Sequence, residues 1–301
     1  MTDWFDTAKA ITRAAFPPKG GAMYESGVHS GIPLTDYIAD PAPEPSLNTG
    51  TAMALLTQSP LHAKMQHVRL NPTKGRDDSA RADIGTIAHA LLLENDGSRV
   101  VQIEADDWRT KAAKEQREEA RAAGKVPVLT KDYAAVLAMV EAAQCFMLGS
   151  DLCEDWLSAT PEQTLIWNDG GAWCRSRPDK LTPDYKVYFD YKTTGSAHPA
   201  AFVKAAINQG YDIQAALGRR GVEALTGAVP TVVFLVQEVE APYACSLVTF
   251  SPMFVSIANE RLEVALHKWK QCMASNHWPG YSEKVATVDP PGWYGMEEVA
   301  L

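Results

Sequence analysis

The chain has 301 residues, 46% apolar and 22% charged, enough for a sizeable core in one elaborated domain or a domain with an appendage. No apolar run approaches membrane-spanning length, the N-terminus lacks a basic-then-apolar signal, and the five scattered cysteines avoid CxxC spacing; a cytoplasmic protein with reduced thiols and no zinc or iron–sulfur site is expected. The net charge of −9 disfavours nucleic-acid binding by total charge, although phosphates need only a local basic surface.

Asp3 to Ala15 reads as a short amphipathic helix closed by Phe16-Pro17-Pro18, and residues 22–45 as an irregular Gly/Pro-rich segment. Ser46 to Thr57 reads as a helix capped by Ser46 or Asn48, and Ser59 to Lys64 starts another with Pro60 at its first position. His62, Lys64, His67, Arg69, Lys74, Arg76 and Arg81 make this the most basic quarter, read equally well as a solvated face or as DNA contacts through side chains such as Lys64 and Arg81. Ile84 to Glu94 has helical apolar spacing at Ile84, Ile87, Ala88, Leu91 and Leu92, with Gly85 allowing close approach to a sheet and His89 inside the apolar pattern. Taken alone, such a histidine is more often a core residue than a ligand.

Arg99 to Glu104 fits an edge strand. Asp106 to Lys125 fits a charged, exposed helix broken by Val126 to Thr130, after which Thr130 or Asp132 caps a helix through Leu148 and a shorter one spans Leu152 to Leu157. Residues 106–158 thus read as a helical excursion. Glu162 to Trp167 is a strand entering the turn Asn168-Asp169-Gly170-Gly171. His198 to Leu225 reads as one helix, Thr231 to Val239 and Ala244 to Phe250 as strands, and Phe254 to Ala274 as a long amphipathic helix, with residues 282–301 as a tail.

The chemistry gathers in Trp173 to Thr194, WCRSRPDKLTPDYKVYFDYKTT. Trp173 to Arg177 and Tyr185 to Tyr191 read as two strands joined by a turn over Pro178 to Pro183. Side chains two apart on a strand share a face, so Asp190 and Lys192 point together, and Asp179 can fold back beside Asp190. Two close carboxylates need a cation or proton between them, and hard oxygen donors suit magnesium or manganese. A lysine beside such a metal can orient or deprotonate a water, since the metal and neighbouring positive charge make its neutral form more accessible; this is equipment for phosphodiester hydrolysis. A solvated ion pair and a Pro-Asp turn are the plain alternative.

Pro178, Asp179, Asp190 and Lys192 resemble the PD-(D/E)xK nuclease signature, and CRSRPDK and DYKTT look more narrowly like the RecE type, the nuclease domain of exodeoxyribonuclease VIII. Gly85, Thr86, His89, Leu91, Leu92, Leu93 and Glu94 resemble the GT-x-x-H-x-LLLE helix of those enzymes. The resemblance implies an α/β fold, a mixed central sheet flanked by helices, with the nuclease domain over residues 46–281. It implies a divalent ion, Mg2+ with Mn2+ tolerated, held by His89, Asp179, Asp190 and the Tyr191 carbonyl, and no nucleotide, haem or iron–sulfur cofactor. Lys192 and Gln214 act with the two aspartates in catalysis; Glu94 and Glu162 support the ligands from behind, though a helix-end or strand-start charge explains each as well. Relatives carry QxxxY on the helix of Gln214, whereas this chain has Gly218 at the tyrosine position; Tyr211 is a candidate substitute or a core residue. Arg175, Arg177, Tyr211 and Arg219 join Lys64 and Arg81 as candidate DNA contacts. The implied activity is 5′-to-3′ degradation of one strand at double-stranded DNA ends, by a homo-oligomeric ring, trimer or tetramer, working with a single-strand annealing protein in phage-type recombination. An endonuclease, a nuclease module of a repair complex and a non-catalytic DNA-binding protein are the alternatives.

Overall fold

TVVFLVQE, Thr231 to Glu238, is apolar without interruption over five residues, Val232 to Val236, a pattern that suits a strand buried on both faces, and the main sheet is built around it. The computed structural model describes residues 23–71, 83–94, 100–123 and 125–290; the helix expected at Asp3 to Ala15 and the candidate DNA contact Arg81 lie outside them. In chain order come β1 (Gly27–His29), α1 (Leu34–Ile38), α2 (Thr49–Thr57), α3 (Pro60–Gln66) and α4 (Asp83–His89), which runs on as a π-helical turn, Ala90–Glu94. Next are β2 (Val100–Ile103), α5 (Lys111–Ala122), β3 (Val126–Leu129), α6 (Thr130–Leu148), α7 (Cys153–Ser158), β4 (Thr160–Pro161), β5 (Thr164–Asp169) and β6 (Ala172–Ser176). The chain ends its described part with β7 (Lys180–Leu181), β8 (Val187–Thr194), α8 (Pro199–Gln209), α9 (Tyr211–Thr226), β9 (Thr231–Glu238), β10 (Cys245–Val248) and α10 (Pro252–Ser275).

The five-stranded sheet has the order β10-β9-β8-β7-β4. β8 and β9 run parallel from Val187↔Thr231 to Thr194↔Glu238, and the other pairs are antiparallel. Alternation along the strands splits the core into two layers. Tyr188, Phe234 and Val236 pack with Leu217 and Val222 of α9 and Leu262, Leu266 and Trp269 of α10. Phe189, Tyr191, Val233 and Leu235 pack with Ile87 of α4 and Met139, Val140 and Met147 of α6.

Four expectations are corrected. The strands expected as two arms of a hairpin lie in different sheets: β6 pairs with β5, whereas β8 takes as its antiparallel neighbour the two-residue β7, inside the expected turn. Pro178, which has no N–H for a ladder, stands between β6 and β7. Val126–Leu129 does not merely interrupt helices but pairs in parallel with β2, and the long helix after it closes one face of the main sheet, so within the expected excursion residues 126–158 form a layer, while α5 is largely exposed as expected. That helix starts without a side-chain cap, neither Thr130 nor Asp132 serving. The single helix expected over 198–225 breaks at Gly210, whose φ of 74° is left-handed.

The irregular N-terminal segment is also anchored. β1 pairs with β5, and Asp40 lies in a buried ion cluster with Arg175 at 3.0 Å, His67 at 3.3 Å and the Ser46 hydroxyl donating at 2.6 Å. Buried charges persist only when so paired.

Candidate active site

Strand register brings the acids into a row. β4 and β7 pair through Pro161↔Lys180, and β7 and β8 through Lys180↔Phe189. One residue further on each strand stand Glu162, Asp179 and Asp190. The Glu162 N–H donates to the Asp179 carbonyl at 3.0 Å, continuing the ladder. Lys192 shares the face of Asp190, and its Nζ lies 2.8 Å from Asp190 Oδ2. Past Phe189 the edge of β8 has lost its β7 neighbour; there the Tyr191 N–H donates to Asp179 Oδ2 at 2.7 Å instead. Because N–H and C=O of one strand residue project to the same side, the Tyr191 carbonyl is presented at that edge too.

His89 arrives from the opposite layer. A β-carbon on Gly85 would stand 2.6 Å from Thr193 Oγ1, so glycine lets α4 lie close on β8. One turn later His89 Nε2 is 3.0 Å from Asp179 Oδ1, and Nδ1 is 3.6 Å from Glu162 Oε1. One donor atom from each of His89, Glu162 and Asp179 falls within 4.8 Å of the others. Glu162 has a φ of 55°, which costs a non-glycine residue about 1–3 kcal/mol. Its contacts with Asp179 and Arg177 hold it there.

α9 lies against β8 so that successive helix positions meet alternate strand residues. Tyr211 places its ring 4.7 Å from Lys192 Nζ, Gln214 donates from Nε2 to Asp190 Oδ1 at 3.1 Å, and Gly218 abuts Tyr188. A β-carbon at Gly218 would collide with the Tyr188 ring, so a tyrosine four residues after Gln214 has no room. The aromatic group beside the lysine is instead Tyr211, three residues before it.

The charges are strongly coupled. Burial disfavours the His89 imidazolium, but Asp179, Glu162 and Asp190 outweigh it and push the group up to about 9. Burial pushes Asp190 upward and Asp179 adds to this, against Lys192. Asp179 is held low despite its burial, by His89, Lys192 and the Tyr191 N–H. For Lys192 burial is outweighed by Asp190 and Asp179, so its pKa is raised. With two carboxylates facing it, the Lys192 ammonium is favoured in this arrangement; the more accessible neutral amine expected from sequence belongs to the metal-bound site. The donor set fits a divalent cation: one imidazole and hard carboxylate oxygens, with an excess of negative charge that a proton on His89 now offsets.

Other candidates are placed differently. Arg175 is 3% exposed and spent on Asp40 and Ser46, so the expectation that it contacts DNA gives way to an internal role. Arg177 pairs with Glu162 and donates to the Ile32 carbonyl at 2.8 Å, holding Glu162 and not a phosphate. Lys64 lies 5.9 Å from the Trp278 ring. Arg219 lines a cavity beside α9. Arg81 and the Glu94 side chain lie outside the described residues. Glu162, expected to support the ligands from behind, stands beside His89 and Asp179 in a group able to hold a metal ion. The Arg177–Glu162 pair was missed, although counting back from the Asn168–Gly171 turn puts Arg177 across from Thr164, two residues from Glu162.

A mixed sheet between helical layers, carrying Asp179, Asp190 and Lys192 on one strand edge, is the arrangement of the PD-(D/E)xK class. The chain belongs to the family described as the PDDEXK-like domain of unknown function (DUF3799), which matches residues 54–291. Its fold is similar to that of a candidate exonuclease from Eubacterium rectale, with a TM-score of 0.57 at 10% identity over 90% of this chain and 100% of that one. A second solved structure, SSO0001, matches with a TM-score of 0.26 at 16% identity, over 65% of this chain and 96% of that one. No curated protein matches the chain.

Proposed function

We propose that the protein is a Mg2+-dependent DNA nuclease, and within that class an exonuclease acting on the ends of linear duplex DNA. The observation that carries this is the convergence of His89, Glu162, Asp179, Asp190 and Lys192 on the β8 edge, because a divalent ion held by such ligands supplies charge stabilisation and an activated water for phosphodiester hydrolysis. Lys192 holds Asp190 and presents a cation to a phosphate, Gln214 fixes the other Asp190 oxygen, and Tyr211 packs on the lysine. The exonuclease assignment is supported by the RecE-like words GT-x-x-H-x-LLLE, CRSRPDK and DYKTT, and by the description of the E. rectale protein of like fold.

The finer reading is 5′-to-3′ action in a cytoplasmic, phage-type recombination system, by a trimer or tetramer that works beside a single-strand annealing protein. Purified protein with Mg2+ should degrade linear duplexes labelled at the 5′ end and spare a closed circle. Cleavage of the circle would replace exonuclease with endonuclease action, and no cleavage of any substrate would overturn the nuclease reading. Light scattering at micromolar concentration should give three or four times the mass of the 32.8 kDa chain; a monomer would remove the ring.

A further inference from the structure

A cavity of about 480 Å³ lies between α9, the start of β9 and the first turns of α10, and the site described above does not use it. Its α9 wall is the stripe Asp212, Ala215, Ala216 and Arg219, distinct from the Tyr211 and Gln214 face that meets β8.

Its lining specifies a ligand at both ends. Asp212 is 2% exposed; Oδ2 pairs with Arg261, while Oδ1 is enclosed and has no hydrogen-bond partner among the described residues. A buried acceptor left empty is costly, so this oxygen calls for a hydrogen-bond donor. Arg219 lines the same cavity and forms no ion pair among the described residues, leaving its planar fork for an anion such as a phosphate. Phe250 provides an aromatic wall, braced by Phe254 with ring centroids 4.3 Å apart. Ser256 and Asn259 add polar groups. The matching ligand is a flat ring bearing a donor, joined to an anionic group, and the volume is that of a small-molecule pocket.

We propose that this cavity binds a free nucleoside 5′-monophosphate, with the base against Phe250 and near Asp212 and the phosphate on Arg219. Choosing a nucleotide among ring-bearing anions rests on the nuclease reading, since exonuclease products belong to that class. The cavity also connects to the site by packed rings: Phe250 meets Phe234 at 5.0 Å, and Phe234 meets Tyr211 at 6.2 Å.

The test is calorimetric titration of the Lys192→Ala protein in EDTA with the four deoxynucleoside 5′-monophosphates, and separately with the unphosphorylated nucleosides and with inorganic phosphate. At least one monophosphate should bind roughly tenfold or more tightly than its nucleoside or phosphate alone, the scale of one charge-assisted contact. Arg219→Ala should bring it to the nucleoside level, and Ser256→Trp, which fills the cavity from an exposed position, should abolish binding. Absence of binding by all four, equal binding of inorganic phosphate, or affinity unchanged in both variants would overturn the proposal. Without metal or Lys192 the titration does not depend on cleavage, so its failure and the failure of the nuclease reading are separate results.

Discussion

Asp190 and Lys192 form a close pair in which each favours the other's charged form against burial. Asp190 is 1% exposed, and the Lys192 ammonium lies 2.8 Å away. Replacing Lys192 by alanine should lower cleavage by on the order of a hundredfold or more, the scale of losing a positioned acid–base or charge-stabilising group. DNA binding followed in calcium should stay nearly intact, since one phosphate contact among several is lost. Single-turnover release of end-labelled nucleotide measures the first effect; cleavage at the parent rate would move the active site elsewhere. Glu162→Gln is the matching test of the ligand row. It keeps the shape but removes a charge 3.6 Å from His89, so magnesium affinity by calorimetry should fall roughly tenfold or more. Unchanged affinity would take Glu162 out of the site. At this scale the sequence was readable where one strand carries the chemistry: the alternation of Asp190 and Lys192 follows from β geometry alone. It was opaque for Arg175, because the partner that buries it, Asp40, lies 135 residues away (175 − 40) and no local pattern announces it.

Between elements, the close approach of α4 to β8 sets where His89 stands. Gly85→Val should overpack against Thr193 and cost about 1–3 kcal/mol by urea denaturation, with a parallel loss of metal affinity as the helix is pushed off the strand. Adding Thr193→Ala removes the oxygen that is struck, so the double variant should recover part of both losses. Purely additive effects would show that the contact does not position His89. The same logic explains the departure at Gly218. Its position faces Tyr188 in the core, so a tyrosine there would not fit, and Tyr211 takes the place beside the lysine from the other direction along α9. Sequence spacing exposes the exchange but not its cause, which is the offset between a helix and the strand under it.

Across the whole molecule, the Asp40 cluster ties residues before the first long helix to the strand that leads into the site. Burial disfavours the Asp40 carboxylate, yet Arg175, His67 and Ser46 more than offset this and lower its pKa to about 2, from an ordinary 3.8. A carboxylate depressed on folding stabilises the native state above its unfolded pKa, and that contribution disappears as pH falls through the folded value. Roughly 2 kcal/mol of stability present at neutral pH should therefore be lost between about pH 4 and pH 2. Asp40→Asn should flatten this part of the stability profile while lowering stability at pH 7. An unchanged acid limb in that variant, followed by urea denaturation across pH, would assign the acid sensitivity to other groups.

By itself the sequence determined the α/β class, the buried strands, the helix carrying His89 and the Asp179, Asp190 and Lys192 set, because each is written in local periodicity or in a short run of neighbouring residues. Tertiary structure alone decided that β6 and β8 part into different sheets, that residues 126–158 supply a core layer, and that Glu162 joins the row of acids beside His89. Those outcomes depend on register between strands distant in the chain. A change of one residue in one of those pairings would turn the carboxylate of the shifted strand to the other face, away from the rest of the row.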